Sequence, residues 1–187
     1  ASPMNEQELR NLMYTAQLDE VQNQKKAFTI RYPRGEGVMP QWRTPFEKIE
    51  IGKGRKVRDG EDIAILTIGH IGNYATESCK MLELEGIQAA HYDLRFVKPL
   101  DEALLHEVFN KFDKVITVED GCLQGGMGSA VLEFMADHGY HAKLKRLGIP
   151  DRVVEHGEQL ELHRECGFDP QGIARAAREM IALAVVI

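Results

Sequence analysis

The chain has 187 residues, of which 43% are hydrophobic and 28% are charged, and its formal net charge is −6. This length is enough for one complete domain with a buried core, and the acidic balance disfavours a general nucleic-acid-binding protein. The three cysteines are widely spaced and form no metal-ligand or redox pair, which favours reduced thiols in a cytoplasmic protein.

The first 35 residues contain the patterns of one helix and one strand. Apolar residues recur at helical spacing in 5–18, and 27–32 is aromatic and β-branched up to a proline. One helix and one strand cannot bury both of their faces, so this segment is expected to end a larger sheet domain. Residues 36–61 have the composition of a linker, with room for one short strand near 47–51.

Residues 62–187 alternate strands with helices. The apolar run 63–68 is unbroken, as expected of a strand that is covered on both faces. Further strands are predicted at 88–96, 114–119 and 142–147, with helices between them and two more at the end. This alternation predicts an α/β fold, with a mostly parallel, mixed sheet and helices on both faces.

The apolar tail 181–187 is too short for a membrane span, which needs about 20 apolar residues. We expect it to finish a packed helix or to join a subunit contact. Because the chain starts at Ala1 without a methionine, we expect a longer parent protein.

Two arginines follow predicted strands. Arg34 lies between Pro33 and Gly35, and Arg95 ends the second strand of the regular region. Ligands of open α/β sheets bind where strands end, and a guanidinium group can give two parallel hydrogen bonds to a phosphate or carboxylate. The alternatives are a surface turn for Arg34 and an internal carboxylate partner for Arg95.

The glycine-rich stretch 119–129 resembles a phosphate cradle at the start of a helix. It matches neither the dinucleotide fingerprint nor a P-loop, so we expect its glycines to permit close helix–strand packing or subunit contact. Glu119 and Asp120 are adjacent on a strand and should point to opposite faces, which makes them a poor acid–base pair.

The seven histidines do not suggest a metal site. Only His138 and His141 are close in sequence, and they lie on either side of a turn rather than on one helix face. His70 follows a strand end, where a site could form, but a capping or core role is favoured for it. Cys122 lies near a predicted helix N-terminus without a base beside it in sequence.

Seven segments, in order along nearly the whole chain, carry a family resemblance. The two specific ones are 30–35 (IRYPRG) and 95–101 (RFVKPLD). The other matching segments are 8–16, 51–54, 117–120, 125–129 and 147–151. Together they resemble the carboxyl-terminal part of the 1-deoxy-D-xylulose-5-phosphate synthases, a family of transketolase-like thiamine-diphosphate enzymes.

This resemblance implies a domain organisation and a reaction. Residues 1–35 would be the tail of a pyrimidine-binding domain, 36–61 a linker and 62–187 a transketolase carboxyl-terminal domain. The family condenses pyruvate with glyceraldehyde 3-phosphate to 1-deoxy-D-xylulose 5-phosphate and CO2, a precursor of isoprenoids, thiamine and pyridoxal.

The resemblance also implies a division of roles. Thiamine diphosphate and Mg²⁺ would be bound mainly by parts absent from this chain, which would hold no catalytic residue and be inactive alone. Arg34 and Arg95 would bind the phosphate of glyceraldehyde 3-phosphate from two neighbouring domains. The parent would be a cytoplasmic homodimer to which this chain contributes contacts.

Two alternatives stay open at this point. The chain could be the equivalent part of a transketolase or of a 2-oxo acid dehydrogenase β subunit, which share the fold. It could also be a stand-alone, non-catalytic module for dimerisation or anion binding.

Overall fold

The computed structural model describes residues 1–182 and contains one five-stranded sheet in the order β1-β3-β2-β4-β5. The strands are β1 (Arg55–Arg58), β2 (Ile63–Ile68), β3 (Ala89–Asp93), β4 (Lys114–Cys122) and β5 (Lys143–Ile149). Strands β2 to β5 are parallel, and β1 pairs antiparallel with β3 at one edge. The predicted mostly parallel, mixed sheet is therefore confirmed.

The helices agree with the periodicity of the sequence. They are α1 (Glu6–Gln17), α2 (Asp19–Gln22), α3 (Ile71–Leu84), α4 (Glu102–Lys111), α5 (Met127–Asp137), α6 (Gln159–Glu165) and α7 (Pro170–Ala182). Capping side chains fix the first residues of α4 and α7. Asp101 accepts a hydrogen bond from the Leu104 amide at 3.1 Å, and Asp169 accepts one from the Gly172 amide at 2.9 Å.

The unbroken apolar run of β2 supplies both faces of the sheet. Ile63 and Ile65 are fully buried in the layer formed with α3 and α7, whereas Ala64 and Leu66 are fully buried in the layer formed with α4 and α5. A strand with helices on both sides has no polar face, which explains the absence of alternation in its sequence.

Two predicted strands do not form. Residues 27–32 form no strand, because among the described residues their backbone bonds only to the first two: the Ala1 amino group donates to the Thr29 carbonyl at 2.8 Å, and Ser2 Oγ donates to the Arg31 carbonyl at 2.9 Å. Residues 47–51 are not a strand either, and β1 instead lies at Arg55–Arg58, inside the segment expected to be a linker. Residues 27–32 still bury part of their apolar face, since Phe28 packs against Phe96.

Most of the apolar tail cannot be assessed, because residues 183–187 lie outside the described part of the chain. Among the helices of residues 1–182, none combines the length and the apolar character needed to cross a membrane.

The glycine-rich stretch provides close packing, as expected. A Cβ atom on Gly126 would overlap the Cys122 carbonyl oxygen and a Glu119 carboxylate oxygen. We therefore expect Gly126→Ala to lower the free energy of unfolding by about 1–3 kcal/mol, measured by urea denaturation. Gly157→Ala is the control, because its added Cβ would lie 3.1 Å from the flexible Leu162 side chain. It should change the free energy of unfolding by less than about 0.5 kcal/mol. Equal losses in the two variants would contradict this interpretation.

Candidate functional site

The carboxyl ends of the parallel strands meet at one edge of the sheet, and the first residues of the chain cover that edge. The Ser2 amide donates to the Arg95 carbonyl at 2.8 Å, and the Asn73 side chain donates to the Met4 carbonyl at 2.8 Å. This edge is where ligands of open α/β sheets bind. Arg95, which follows β3, lies at this edge.

Arg95 has an unusual, tightly fixed backbone just beyond β3. Its φ of 56° is left-handed, a conformation that costs a residue with a side chain about 1–2 kcal/mol. The backbone is held by the hydrogen bond from Ser2 and by its own amide, which donates to Asp93 Oδ1 at 3.2 Å. The structure thus directs this side chain firmly, as a binding residue requires.

The Arg95 guanidinium uses only one of its donors within residues 1–182. Nε donates to Glu8 Oε1 at 2.6 Å, and the terminal Nη1 and Nη2 groups make no hydrogen bond to the described residues. The side chain is 18% exposed. The internal carboxylate that the sequence left open therefore exists, but it leaves the fork of the guanidinium free for an anion.

A buried charge network supports this arginine. Glu8 also accepts from the Met4 amide at 2.7 Å, and Arg55 Nη2 lies 3.3 Å from Glu8 Oε1 and 3.1 Å from Asp93 Oδ2. Glu8 and Asp93 are buried. Two guanidinium groups thus lie beside the Glu8 and Asp93 carboxyl groups, which offsets the cost of burying negative charge there.

Two buried groups beside this network have displaced pKa values. Burial and the negative charge of Glu8 raise the pKa of Asp93 to about 7, although Arg55 opposes the shift. Burial lowers the pKa of His91 to about 4, and Thr67 Oγ1 lies 2.8 Å from its Nε2 atom. In the native protein, Asp93 therefore retains its proton to higher pH and His91 remains neutral to lower pH.

These shifts make opposite contributions to stability between about pH 4 and 6.5. A native state that retains the Asp93 proton loses stability as the pH rises, whereas one that keeps His91 neutral loses stability as the pH falls. We expect Asp93→Asn to make the free energy of unfolding rise more steeply with pH than in the wild type. His91→Gln should change the slope in the opposite direction, so that the free energy of unfolding rises less with pH than in the wild type. Each contribution approaches about 1.4 kcal/mol per pH unit.

Urea denaturation at several pH values measures these slopes separately from any constant loss of stability. Parallel pH profiles for the wild type and both variants would contradict the assigned protonation states. Slopes that change in opposite directions from that of the wild type would support them.

Arg34 is exposed and forms no ion pair within residues 1–182. It lies on the rim of two cavities. Cavity A, of about 480 Å³, is also lined by Asn5 and His70. Cavity B, of about 500 Å³, is also lined by Asp120 and His163. The guanidinium group of Arg34 is therefore available to a ligand in either cavity.

The structure does not place Arg34 and Arg95 in one cavity. Arg95 lines cavity C, of about 250 Å³, together with Asn5, Glu8 and Arg55. Cavities A and C are neighbours, because Asn5 lines both. The two arginines thus face adjoining spaces at the same edge of the sheet.

The N-terminus of α5 does not provide a diphosphate cradle. Glu119 accepts hydrogen bonds from the Met127 and Gly128 amides, each at 2.8 Å, so an internal carboxylate occupies this anion site. No Gly-Asp-Gly metal motif occurs in the sequence. The residues at this helix N-terminus therefore do not fit a thiamine diphosphate–Mg²⁺ site.

Asp120 points away from Glu119, as expected of neighbours on a strand, and joins a second cluster. His70 Nε2 lies 3.7 Å from Asp120 Oδ2, and His163 Nε2 lies 3.9 Å from Asp120 Oδ1. Arg31 Nη2 lies 3.6 Å from Asp120 Oδ2. Burial lowers the pKa of both histidines, although the Asp120 carboxylate opposes the shift, so both imidazoles are neutral at pH 7.

Sequence reasoning missed both clusters. The buried position of Glu8 is visible as a carboxylate within the helical pattern of α1, but its partner Arg95 is 87 residues away. Arg55 lay in the segment expected to be a linker, and His163 showed no sequence signal beside His70 or Asp120. The Asp-Leu-Arg spacing at 93–95 is the one local hint of a charge pair at this strand end.

Comparison with known proteins gives a consistent family. The model of the transketolase C-terminal domain matches residues 52–173. The chain is 69% identical over 180 residues to 1-deoxy-D-xylulose-5-phosphate synthase of Cytophaga hutchinsonii and 42% identical over 182 residues to that of Aquifex aeolicus. Each match covers 96% of this chain, which spans only 28% of the length of either relative.

Solved structures with a similar fold are transketolases. A split-gene transketolase, described as an inactive β4 tetramer, aligns with a TM-score of 0.68 and 31% identity over 73% of this chain and 45% of its own. A Pichia stipitis transketolase in complex with sedoheptulose 7-phosphate aligns with a TM-score of 0.53 and 23% identity over 71% of this chain and 18% of its own. The second likeness concerns the fold alone.

Proposed function

The chain belongs to the transketolase C-terminal domain family, and from its similarity to 1-deoxy-D-xylulose-5-phosphate synthases we propose that it is the carboxyl-terminal part of such an enzyme. The proposed parent reaction condenses pyruvate with glyceraldehyde 3-phosphate to 1-deoxy-D-xylulose 5-phosphate and CO2. The observation that carries the proposal is the pair of available guanidinium groups, Arg34 and Arg95, at the carboxyl edge of the sheet.

In this proposal the chain binds the acceptor substrate. The phosphate of glyceraldehyde 3-phosphate carries about two negative charges at neutral pH, and the free Nη1 and Nη2 groups of Arg95 match two of its oxygens. Arg34, on a turn without an internal partner, supplies the second positive charge from the neighbouring cavity. Fixing the phosphate at one end of the acceptor positions its aldehyde at the other.

Glu8, Arg55 and Asp93 are positioning residues in this account. Glu8 holds Nε of Arg95, which turns the two terminal nitrogens outward, while Arg55 balances the carboxylates. The left-handed backbone of Arg95 is fixed by the same surroundings. The acceptor therefore meets a guanidinium whose orientation is set before binding, which reduces the entropy lost on binding.

The remaining chemistry is assigned to segments outside this chain. Thiamine diphosphate, when bound, supplies the electron sink for decarboxylation of pyruvate. We propose that this cofactor and Mg²⁺ are held mainly by those segments, so that the chain alone is inactive. We further propose that the parent is a cytoplasmic homodimer to which this chain contributes contacts.

The test is product formation by the parent protein, which joins this chain to the segments present in its full-length relatives. With pyruvate, glyceraldehyde 3-phosphate, thiamine diphosphate and Mg²⁺, we expect equimolar 1-deoxy-D-xylulose 5-phosphate and CO2. The chain alone should form neither. A folded, cofactor-loaded parent that forms no such product would contradict the proposal, and ketol transfer between sugar phosphates would then indicate a transketolase.

A further inference from the structure

His70, Asp120 and His163 meet at the topological switch point of the sheet. The helix after β2 (α3) lies on one face and the helix after β4 (α5) lies on the other, which opens a crevice between the ends of these neighbouring strands. His70 follows β2, and Asp120 lies near the end of β4. His163 reaches the same point from α6. Three elements thus bring three donor groups to the preferred ligand-binding position of this fold.

The three side chains do not form hydrogen bonds to one another. One ligand atom from each lies within 4.8 Å of the others, but the nitrogen–oxygen separations of 3.7 and 3.9 Å are too long for hydrogen bonds. His70 Nε2 is buried without any hydrogen-bond partner in the described residues. A buried polar atom without a partner is costly, which favours a ligand at this position.

The geometry points to a metal ion as that ligand. Two ligands at 2.0–2.1 Å from a tetrahedral zinc ion are about 3.3 Å apart, so the two nitrogen–oxygen separations need to contract by about half an ångström and the widest separation, up to 4.8 Å, by about 1.5 Å. The other ring nitrogen of His163, Nδ1, lies 3.3 Å from the Tyr74 hydroxyl. When Nδ1–H donates to this hydroxyl, Nε2 is the unprotonated nitrogen that can bind a metal, and a second hydrogen bond of this kind is typical of metal-bound histidines.

We propose that His70, Asp120 and His163 form a binding site for a divalent transition-metal ion of the zinc type. Two imidazoles and one carboxylate are a ligand set that zinc accepts, and three protein ligands leave a fourth position for water or an anion. Asp120 and His163 line cavity B, so that position faces the cavity on whose rim Arg34 lies. The site is separate from the Glu8–Arg95 network and does not depend on the proposed function.

One group opposes the ion. The Arg31 guanidinium lies 3.6 Å from Asp120 Oδ2, and its side chain is 62% exposed. It can therefore move into solvent when a cation takes its place. Because it competes for the same oxygen, Arg31→Ala should strengthen metal binding, a change that general destabilisation would not produce.

The test uses Co²⁺ as a probe, because tetrahedral Co²⁺ absorbs visible light strongly, whereas octahedral Co²⁺ does so weakly. The purified protein, stripped with a chelator, should bind one Co²⁺ per chain with tetrahedral absorption, and one equivalent of Zn²⁺ should displace it. His70→Ala and Asp120→Asn should each abolish that absorption. Tyr74→Phe should weaken binding by about 10- to 100-fold. The control His141→Ala, an exposed histidine outside the cluster, should bind as the wild type does.

Asp120→Asn decides the outcome if His70→Ala fails to fold, since it keeps the shape of a partly exposed side chain. Added Zn²⁺ should also raise the melting temperature of the wild type and of His141→Ala but not that of Asp120→Asn. Wild-type protein without tetrahedral Co²⁺ absorption would overturn the proposal. So would an Asp120→Asn variant with unchanged Co²⁺ affinity.

Discussion

Arg95→Ala and Arg34→Ala should each lower kcat/KM of the parent enzyme for glyceraldehyde 3-phosphate by about 10- to 100-fold. Each variant loses charge-assisted hydrogen bonds to the substrate phosphate, which contribute roughly 1.5–3 kcal/mol. The effect should appear mainly in KM, because the phosphate is not the reacting group and is held equally in the ground and transition states. Initial rates at varied glyceraldehyde 3-phosphate and saturating pyruvate measure it.

Two further variants separate phosphate binding from other effects of losing an arginine. Arg95→Lys keeps the charge but loses the planar fork, so we expect an intermediate kcat/KM. Arg178→Ala removes an arginine that pairs with Glu85 at 2.7 Å on α7, away from the site, and should leave kcat/KM unchanged. Wild-type kinetics in Arg95→Ala or Arg34→Ala would show that the arginine concerned does not contact the acceptor.

Glu8→Ala should cause the largest loss of stability among single substitutions at this site. The Glu8 side chain is 4% exposed and accepts from Arg95 and from the Met4 amide, with Arg55 beside it. Its removal leaves two guanidinium groups with only Asp93 to balance them. Breaking a buried ion pair from one side costs about 3–5 kcal/mol, which urea denaturation would detect.

Glu8→Gln should lose less, because its amide oxygen can still accept from the Met4 amide. The matched control is Glu20→Ala, which breaks the exposed pair with Lys48 and should cost less than about 1 kcal/mol. A loss in Glu8→Ala no larger than that in Glu20→Ala would contradict the role of the buried network.

The fold was largely predictable because its signals are local. The apolar run of β2 and the caps Asp101 and Asp169 depend on residues a few positions apart. The wrong strand predictions arose where strand pairing depends on residues that are distant in the sequence. Residues 27–32 have the composition of a strand but no neighbouring strand to extend, whereas β1 has a weak, charged sequence and forms because the edge of β3 is available.

The candidate site was predictable in its position but not in its composition. An arginine after a strand end is a local pattern, and it makes Arg95 a candidate from the sequence, whereas the strand predicted before Arg34 does not form. The partners of Arg95 could not be identified in this way, because Glu8 comes from a helix that precedes the sheet by many residues and Arg55 comes from the neighbouring edge strand β1, about 40 residues before Arg95 in the sequence. Only the folded topology brings these charges into contact.

The central claim is that this chain binds the phosphate of the acceptor through Arg34 and Arg95. Its most direct test compares kcat/KM for glyceraldehyde 3-phosphate with that for unphosphorylated D-glyceraldehyde in the wild-type parent and in the Arg34→Ala/Arg95→Ala double variant. We expect the ratio of kcat/KM for glyceraldehyde 3-phosphate to kcat/KM for D-glyceraldehyde to fall by at least about 100-fold in the double variant, while the reaction of D-glyceraldehyde is retained. An unchanged ratio, or an equal loss with both acceptors, would contradict it.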